Sequence, residues 1–351
     1  MISERKKQML SFFLKDKNKK NWLQIIKEFT SLYIRTKELP LNYISHLLYR
    51  KNVTNYKDYL SLKENRGILK WSYSHAQEQI VLVENKLLFA AYLEKANIPT
   101  PKIFFHNSKN KFTYENNVFE IQSKNDFLLF LRRVFFEKKI PHLFCKPIDG
   151  IQGENIFIIK KATYMEIADN LIDLVLSNAF IFQELILQHA TLKEINPSSI
   201  NTLRIVTYKN RENEVEILSG FIRIGRKGAI IDNAHIGGIV IPINKETGRM
   251  YAEGLQLIDN GGGIFYEHPE TGIIFANLQI PNYVEIKKMI ADASSLFKFP
   301  LLGWDVAVTP NGPIIIEANH DFHLLLSDLT EKGFKRNPSI KKLLEQIDLY
   351  R

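Results

Sequence analysis

The chain has 351 residues, of which 45% are hydrophobic and 24% charged, a composition typical of a globular protein with room for two or three packed subdomains. It contains no apolar run near the roughly 20 residues of a membrane span, and its basic N-terminus lacks the apolar core and cleavage site of a secretory signal. Cys145 is the only cysteine, so an internal disulfide is excluded and a cytoplasmic location is expected.

The net charge of +9 is compatible with nucleic acid, an anionic membrane or a phosphorylated small molecule as a partner. The basic residues are spread along the chain, with local density at Lys15, Lys17, Lys19 and Lys20. Aromatic and basic residues do not alternate as they do in proteins that bind single strands, so no nucleic-acid partner is expected. A solvated basic surface is the simplest interpretation of this charge.

Residues 1–80 are predicted to be helical, because Trp22, Ile26, Phe29 and Tyr33 recur at the three- and four-residue steps of a helix. This segment carries no recognisable chemistry. We interpret it as a helical cap on the rest of the chain or as a docking piece for a partner.

From residue 81 onward, predicted helices and strands are interleaved. The predicted helices are 85–93, 126–137, 164–177, 286–297 and 339–349. The predicted strands are 102–105, 143–147, 155–160, 179–184, 202–208, 215–224, 301–309 and 313–318. This pattern, with its many hairpins, predicts an α+β (mixed α/β) fold. The expected parts are a helical segment, a first α+β part, a second α+β subdomain and a C-terminal helix, at residues 1–80, 81–183, 184–330 and 331–351.

The last predicted hairpin carries three oxygen ligands suited to a metal ion. Glu317 and Asn319 lie two residues apart on one strand, so their side chains point to the same face. Asp305 lies on the preceding strand and can reach that face across the hairpin. Two carboxylates and an amide oxygen suit Mg²⁺ and leave positions for water and phosphate. The alternative is an ordinary hairpin with polar residues at its ends.

A second group of candidate residues surrounds a turn that contains glycine. Lys146 lies near the end of an apolar strand, before a turn that holds Gly150 and Gly153. A lysine there can meet a phosphate as a point charge, and the glycines let backbone N–H groups approach the phosphates. The alternative is a lysine at the edge of a strand.

The strand that includes Gln183 continues into Glu184, Leu185 and Ile186. Such a segment can offer backbone hydrogen bonds and an apolar wall to a purine. The alternative is a plain core strand.

Two arginines, Arg204 and Arg223, lie inside apolar strands. A half-buried arginine needs an anionic partner, because an unpaired buried charge is costly. The planar guanidinium group of arginine matches the geometry of a phosphate or a carboxylate. The alternative is a structural ion pair with one of the many acids of the chain.

The loop at 232–238 contains Asn233, His235, Gly237 and Gly238. Its polar side chains and accessible backbone favour a functional loop that contacts substrate. A lone histidine is nevertheless more often structural than catalytic.

In chain order, these residues resemble the ATP-grasp superfamily, and specifically its sugar-transfer-associated branch, a relative of the glutamate-ligase-like proteins. The resemblance runs from about residue 86 to about residue 328. The strings that carry it are Cys145-Lys146-Pro147 with Gly150 and Gly153, Asn196-Pro197-Ser198-Ser199-Ile200-Asn201-Thr202-Leu203-Arg204, Asp232-Asn233 with Gly237-Gly238, and Gly303-Trp304-Asp305 with Glu317-Ala318-Asn319. Each string is weak alone, and the four in this order are specific.

The resemblance implies an ATP-grasp fold, in which two α+β subdomains grip ATP, preceded by the N-terminal helical segment. The implied phosphate contacts are Lys86 and Lys146, with the turn glycines Gly150 and Gly153. The implied adenine contacts are Gln183, Glu184, Leu185 and Ile186. The implied partners of the γ-phosphate or of the reacting carboxylate are Arg204 and Arg223. The implied Mg²⁺ ligands are Asp305, Glu317 and Asn319. Candidates for the ribose are Glu194 and His189, and candidates for the acceptor are His320, Asp321 and His323.

The implied activity is an ATP- and Mg²⁺-dependent carboxylate–amine ligase that works through an acyl phosphate. The expected partners are a small-molecule carboxylate and an amine, and the product is an amide on a small molecule, a peptide or a sugar-linked acceptor, in polysaccharide or natural-product biosynthesis. The alternatives are an ATP-grasp phosphotransferase and a non-catalytic nucleotide-binding scaffold. The complete set of candidate metal ligands argues against the scaffold.

Overall fold

The computed structural model describes residues 4–150, 154–226, 228–229, 232–322 and 324–348. Contacts among residues divide the chain into two compact units. Unit 1 comprises Met1–Gln79, Gln188–Pro313 and Ala318–Arg351, and unit 2 comprises Ile80–Leu187 and Ile314–Glu317. The predicted domain boundaries at residues 80, 183 and 330 stay a prediction.

Twelve α-helices lie within the described residues. They are α1 (Glu4–Lys15), α2 (Trp22–Thr36), α3 (Asn42–Ser45), α4 (Leu62–Ser74), α5 (Ile80–Glu84), α6 (Lys86–Lys95), α7 (Lys124–Glu137), α8 (Asp169–Ser177), α9 (Ala190–Ile195), α10 (Tyr283–Ser295), α11 (Leu325–Thr330) and α12 (Pro338–Asp348).

The same part of the chain contains thirteen strands. They are β1 (Ile103–Ser108), β2 (Lys111–Tyr114), β3 (Asn117–Glu120), β4 (His142–Pro147), β5 (Phe157–Lys160), β6 (Ala179–Gln183), β7 (Leu203–Lys209), β8 (Val215–Ile224), β9 (Ile239–Pro242), β10 (Gly254–Leu255), β11 (Ile264–Phe265), β12 (Leu301–Thr309) and β13 (Gly312–Asn319). This mixed α/β content confirms the predicted fold class.

The helical prediction for the N-terminal segment is confirmed, and local capping explains where its helices begin. The Asn21 side chain accepts a hydrogen bond from the backbone of Gln24 at the start of α2. Ser61 and Glu64 form a reciprocal capping box at the start of α4. The inner face of α2 is fixed by a buried network, in which Glu28 accepts from Lys20 at 2.6 Å and from the Tyr43 hydroxyl at 2.7 Å.

Unit 2 is built on an antiparallel six-stranded sheet in the order β3-β2-β1-β6-β4-β5. Helices α7 and α8 supply side chains to the same aromatic-rich core. Phe105 on β1 stacks on Phe182 on β6, with ring centroids 4.2 Å apart and planes 14° apart. The predicted hairpin of β4 and β5 is confirmed, with Phe144 opposite Ile158.

A seven-stranded sheet has the order β11-β10-β9-β8-β7-β12-β13, and its strands β7 to β12 lie in unit 1. Strands β7, β8 and β12 form its long central part, and their described pairings are antiparallel. Trp304 on β12 is fully buried, and its indole N–H donates to the Thr207 hydroxyl on β7 at 2.9 Å. This hydrogen bond satisfies the polar end of the largest core side chain, so it helps to hold β12 in register with β7.

The structure corrects several predicted elements. The helix predicted at 164–177 is a 3₁₀ helix at Tyr164–Glu166 followed by α8, because Ile167 and Ala168 have ψ angles of 129° and 143°, outside the helical range. The predicted loop at 232–238 contains a 3₁₀ helix at Ala234–Ile236. The short elements β2, β3, β9, α9 and α11 were not predicted, since runs of four to six residues carry little periodic signal. No helix among the described residues is long and apolar enough to cross a membrane.

One buried carboxylate ties the N-terminal helical segment to the rest of unit 1. Asp328 accepts hydrogen bonds from the backbone N–H groups of Leu60 at 2.9 Å and Phe334 at 2.8 Å. The His46 imidazole lies 3.3 Å from the same carboxylate. Asp328 therefore satisfies polar groups from two distant parts of the sequence inside the core.

Replacing Asp328 with alanine is expected to lower the free energy of unfolding of unit 1 by about 3–5 kcal/mol, because buried donors lose a charged acceptor. Trp22, Trp71 and Trp304 all lie in unit 1, so tryptophan fluorescence during a urea titration reports this unit. The control is Asp292→Ala, which removes an exposed ion pair with Lys288 and should change stability by less than about 1 kcal/mol. Equal losses in the two variants would contradict the assigned role of Asp328.

Candidate active site

Asp305 is held between the two arginines that the sequence singled out. The register of β7 and β12 places Arg204 directly opposite Asp305. Arg204 donates from Nε to Oδ1 of Asp305 at 2.5 Å and from a terminal nitrogen to Oδ2 at 3.0 Å. Arg223, on β8, donates to Oδ2 of Asp305 at 3.0 Å. One carboxylate is thus shared by two guanidinium groups.

This cluster is largely buried. The side chains of Arg204 and Arg223 are 15% and 16% exposed, and that of Asp305 is 5% exposed. Ion pairs in such surroundings are weakly screened by salt. The sequence analysis left a structural ion pair open as the alternative role of the two arginines. That ion pair is present, and the acid in it is Asp305, which was predicted as a metal ligand. Binding of an anion by the arginines stays a prediction.

A second acid, Asp232, supports Arg223 from the other side. Its Oδ2 accepts from the backbone N–H of Thr202 at 2.7 Å and from the Thr202 hydroxyl at 2.5 Å, and it lies 3.7 Å from Nε of Arg223. Arg223 also donates to the Thr202 hydroxyl oxygen at 2.5 Å. Burial raises the pKa of the Asp232 carboxyl, while Arg223 and the hydrogen bonds from Thr202 oppose that rise.

The segment before Thr202 owes its shape to side-chain amides. Asn196 donates to the Ser199 hydroxyl at 2.9 Å. Asn201 donates to the carbonyl oxygen of Leu192 at 2.9 Å, and its backbone N–H donates to the side chain of Gln188 at 2.5 Å. The Asn-Pro-Ser-Ser-Ile-Asn-Thr string therefore folds on itself and fixes where β7 begins. The contacts of Thr202 with Asp232 and Arg223 were not predicted, although Thr202 stands in one of the strings that carry the resemblance.

The loop at 232–238 uses most of its predicted substrate residues for its own structure. Asn233 accepts from the backbone N–H of His235 at 2.9 Å and so begins the 3₁₀ helix. Gly237 has φ = +101°, which favours glycine. A Cβ on Gly238 would lie 2.8 Å from the carbonyl oxygen of Asp232, so only glycine allows this close approach. The imidazole of His235 is exposed.

In unit 2, Lys86 reaches the turn after β4. Its Nζ donates to the carbonyl oxygen of Gly150 at 2.7 Å, and its backbone N–H donates to that of Ile148 at 3.2 Å. Burial lowers the pKa of the Lys86 ammonium, and the carboxylates of Glu317 and Asp149 offset part of this effect. Lys86 thus combines a positive charge with partial desolvation beside a turn that contains glycine.

The other predicted nucleotide contacts also lie in unit 2. Lys146 is buried on β4 and Gln183 is buried at the end of β6. Glu184 and Lys102 exchange two hydrogen bonds, from the backbone of Glu184 to the Lys102 carbonyl at 2.9 Å and from the backbone of Lys102 to the Glu184 carboxylate at 2.8 Å. Leu185 and Ile186 follow in the half-buried irregular segment after β6. Gly153 lies outside the described residues.

Of the candidate magnesium ligands, Asp305 belongs to β12, and Glu317 and Asn319 belong to β13. Among the described residues, no group of three or more His, Cys, Asp or Glu side chains forms a metal cluster. The predicted set has two carboxylates and one amide, an oxygen donor set that fits Mg²⁺ completed by phosphate and water. The role of these three residues stays a prediction.

The candidates for the ribose and for the acceptor differ in how far they are buried. His320 is buried and stacks on Phe299, with ring centroids 5.4 Å apart. Asp321 and Glu194 are exposed, and the His189 ring accepts from the backbone of Thr191 at the start of α9. His323 lies outside the described residues. The stacking of His320 favours a structural role, whereas Asp321 is accessible to an acceptor.

The raised pKa of Asp232 gives a pH test of this cluster. A carboxyl with a raised folded-state pKa contributes stability that is present below 3.8 and is lost as the pH rises through the folded-state pKa. The unfolding free energy of the wild type, minus that of Asp232→Asn, should therefore fall in that window by about 1.4 kcal/mol per pH unit and then become constant. Urea titrations followed by tryptophan fluorescence measure this difference. A rise over the same window, or the same curve for the exposed control Asp292→Asn, would contradict the burial of Asp232.

Comparison with known proteins places the chain in a family. The family model described as sugar-transfer associated ATP-grasp matches residues 71–347. No curated protein matches the sequence significantly.

Several solved structures share features of the fold. N5-carboxyaminoimidazole ribonucleotide synthetase from Thermotoga maritima is 12% identical, with a TM-score of 0.35, over 68% of this chain and 41% of its own. The ATP-grasp ligase PsnB, complexed with minimal precursor, Mg and ADP, is 13% identical, with a TM-score of 0.40, over 80% of this chain and 66% of its own. L-amino acid ligase from Bacillus licheniformis is 12% identical, with a TM-score of 0.40, over 75% of this chain and 48% of its own.

The chain thus spans less than two thirds of the length of each of these structures. At these identities and TM-scores, the three structures carry no information about its activity. The family match covers well over half of the chain and includes every residue of the candidate site. The protein therefore belongs to the sugar-transfer associated ATP-grasp family.

Proposed function

We propose that this protein is an ATP- and Mg²⁺-dependent carboxylate–amine ligase, which forms an amide bond through an acyl phosphate. The observation that carries the proposal is the largely buried cluster in which Arg204 and Arg223 share the carboxylate of Asp305. Its two guanidinium groups are aligned before any ligand arrives, and they are suited to the oxygens of a phosphate or a carboxylate.

The arginine cluster fits the charge changes of phosphoryl transfer. Such a transfer depends mainly on alignment and on neutralisation of charge, with no requirement for a nucleophilic side chain. Arg204 and Arg223 bring two positive charges to the carboxylate of Asp305. An anion that approaches this cluster meets donors whose orientation has already been fixed by the protein.

The lysines of unit 2 fit the nucleotide itself. Lys86 lies beside the turn after β4 with a lowered pKa, and Lys146 is buried on β4. A partly desolvated ammonium interacts more strongly with phosphate than one in bulk water. We assign both lysines to the phosphates of ATP, and the segment from Gln183 to Ile186 to its adenine.

Asp305, Glu317 and Asn319 would hold Mg²⁺, which supplies positive charge against the phosphate oxygens. In the proposed reaction, a substrate carboxylate oxygen attacks the γ-phosphorus, the bond to the β-phosphate oxygen breaks, and ADP leaves. The amine nitrogen then attacks the acyl carbon, phosphate leaves, and the nitrogen loses a proton to solvent. The arginines stabilise the oxygens of the phosphoryl group, and Asp305 keeps both guanidinium groups in place.

Replacement of Lys86 with methionine should raise the KM for ATP by ten- to a hundredfold, because one phosphate contact worth about 1.5–3 kcal/mol is lost. ADP release at varied ATP concentration measures this change. The control is Lys288→Met, which alters an exposed lysine on α10 and should leave the KM unchanged. A tenfold fall in kcat with an unchanged KM for ATP would indicate that Lys86 acts in a later step and not in nucleotide binding.

Asp305→Asn and Glu317→Gln should each reduce turnover by at least a hundredfold, since each removes a negative ligand of the metal. Asp305→Asn should also lower stability, because it leaves Arg204 and Arg223 without their carboxylate. Turnover is measured as ADP release, and stability as the urea midpoint. Full turnover and full Mg²⁺-dependent nucleotide binding in Asp305→Asn would favour the non-catalytic scaffold.

The products distinguish the proposed ligase from its alternatives. With a carboxylate, an amine, ATP and Mg²⁺, the ligase releases ADP and phosphate, and hydroxylamine in place of the amine traps the acyl phosphate as a hydroxamate. AMP and pyrophosphate would exclude an acyl phosphate. A phosphorylated product that persists without any amine would identify a phosphotransferase.

A further inference from the structure

Helix α2 presents an apolar face to solvent. Five large side chains along this face are between 48% and 83% exposed, and they are Trp22, Leu23, Ile26, Tyr33 and Ile34. Leu23 and Ile34 are eleven residues apart, which is three helical turns, so they lie on the same outward side. So many large exposed apolar side chains on one helix face are unusual for a protein exposed only to water.

The orientation of this face is fixed by the packing beneath it. Ile25, Glu28 and Leu32 form the buried side of α2. Glu28 is bound to Lys20 and Tyr43, so rotation of the helix would break a buried charge network. The apolar residues of the outer face therefore stay exposed unless something external covers them.

Basic residues surround the same helix. Residues 1–40 contain ten Lys and Arg residues and four Asp and Glu residues, so this short segment carries +6 of the net charge of +9. Lys15, Lys17, Lys27 and Lys37 are exposed, and no ion-pair partner is described for them within the part of the chain covered by the structure. Lys27 and Lys37 belong to α2 or directly follow it.

The nearby acids do not cancel this charge, because they are already paired. Asp16 pairs with Arg50 at 2.8 Å. Glu38 pairs with Arg66 at 3.3 Å, and Glu28 is buried against Lys20. Since Arg50 and Arg66 come from outside residues 1–40, they add further positive charge to the surface around α2.

We infer that the outer face of α2 docks onto an anionic membrane surface, with Leu23, Ile26 and Ile34 in the boundary between headgroups and acyl chains. The combination of an apolar face with flanking lysines is what such a surface selects. Exposed Trp22 and Tyr33 suit the same boundary, since each has an apolar body and a polar tip. The helix would lie in the plane of the surface.

Two other partners suit an apolar basic helix, namely a second copy of the chain and nucleic acid, and charge distinguishes them from a membrane. A second copy of the chain would bring one segment of charge +6 against another, which opposes a symmetric interface. Nucleic acid would use the lysines and leave the exposed leucine and isoleucines uncovered. An anionic lipid surface satisfies both features together, and this inference does not depend on the proposed ligase activity.

Flotation of the full chain with vesicles tests the inference. Binding is expected to vesicles with equal parts of phosphatidylcholine and phosphatidylglycerol, and not to phosphatidylcholine alone. It should weaken as salt shortens the Debye length from about 10 Å at 0.1 M to about 3 Å at 1 M. The emission of Trp22 should shift to shorter wavelength on binding, and Trp22→Phe should lose that shift.

Two variants separate the apolar and the basic contributions. Leu23→Ser with Ile34→Ser should reduce partitioning at least tenfold, because two exposed side chains no longer enter the membrane. Lys27→Glu with Lys37→Glu should reduce it by about fivefold or more per lysine. Both pairs of changes affect exposed side chains, and the urea midpoint checks that each variant folds.

The matched control pair is Val284→Ser with Lys288→Glu on α10, where one exposed apolar residue and one exposed lysine are changed in the same unit. This pair should bind vesicles as the wild type does. Equal flotation with neutral and anionic vesicles, or no flotation at all, would overturn the inference. A wild-type dimer that Leu23→Ser with Ile34→Ser converts to monomer, with vesicle binding unaltered, would assign the face to a second copy instead.

Discussion

The pairing of one carboxylate with two arginines is the constraint on which the centre of unit 1 depends. Arg204, Arg223 and Asp305 come from three neighbouring strands, and the charges meet only in the observed register. A slip of one residue between β7 and β12 would turn Asp305 to the opposite face and remove the carboxylate that pairs with both guanidinium groups. The requirement for charge pairing and the requirement for core packing at Trp304 therefore select the same register.

The same pairing sets the chemical character of the site. A phosphate or carboxylate bound as proposed would compete with Asp305 for the arginines, which the fold has already oriented. Thr202 and Asp232 limit how far Arg223 can move in that exchange. Gly238 belongs to this arrangement because it permits the close backbone approach beside Asp232.

How much the sequence predicted depended on how local each signal was. The helical periodicity of residues 1–80 and the apolar runs of β8 and β12 are local signals, and these elements were predicted. The partner of Arg204 was not predictable, because Asp305 lies 101 residues away and becomes its neighbour only through the sheet. No Gly or Pro marks the break at Ile167 and Ala168, so the sequence prediction joined the 3₁₀ helix and α8 into one helix.

The predicted loop at 232–238 shows a different limit of sequence reasoning. Polar residues next to glycines indicated a loop that contacts substrate, and that role stays a prediction. In the structure, Asn233 supports the 3₁₀ helix and the glycines satisfy backbone geometry. A polar side chain that meets its own backbone looks the same in sequence as one that meets a ligand. Only the hydrogen-bond partners separate the two cases.

The N-terminal helices and the arginine cluster belong to the same unit, and Asp328 on α11 ties the N-terminal segment into that unit. Through its bonds to Leu60 and Phe334, this carboxylate holds the segment that carries α2 against the core beside the sheet. A surface that binds the outer face of α2 would therefore orient the whole of unit 1, including Arg204 and Arg223. The arginines proposed to neutralise the transferred phosphate and the residues proposed to face the membrane would then keep a fixed distance and orientation. The proposed membrane contact would give a segment without recognisable catalytic chemistry a role in orienting the unit that contains Arg204 and Arg223.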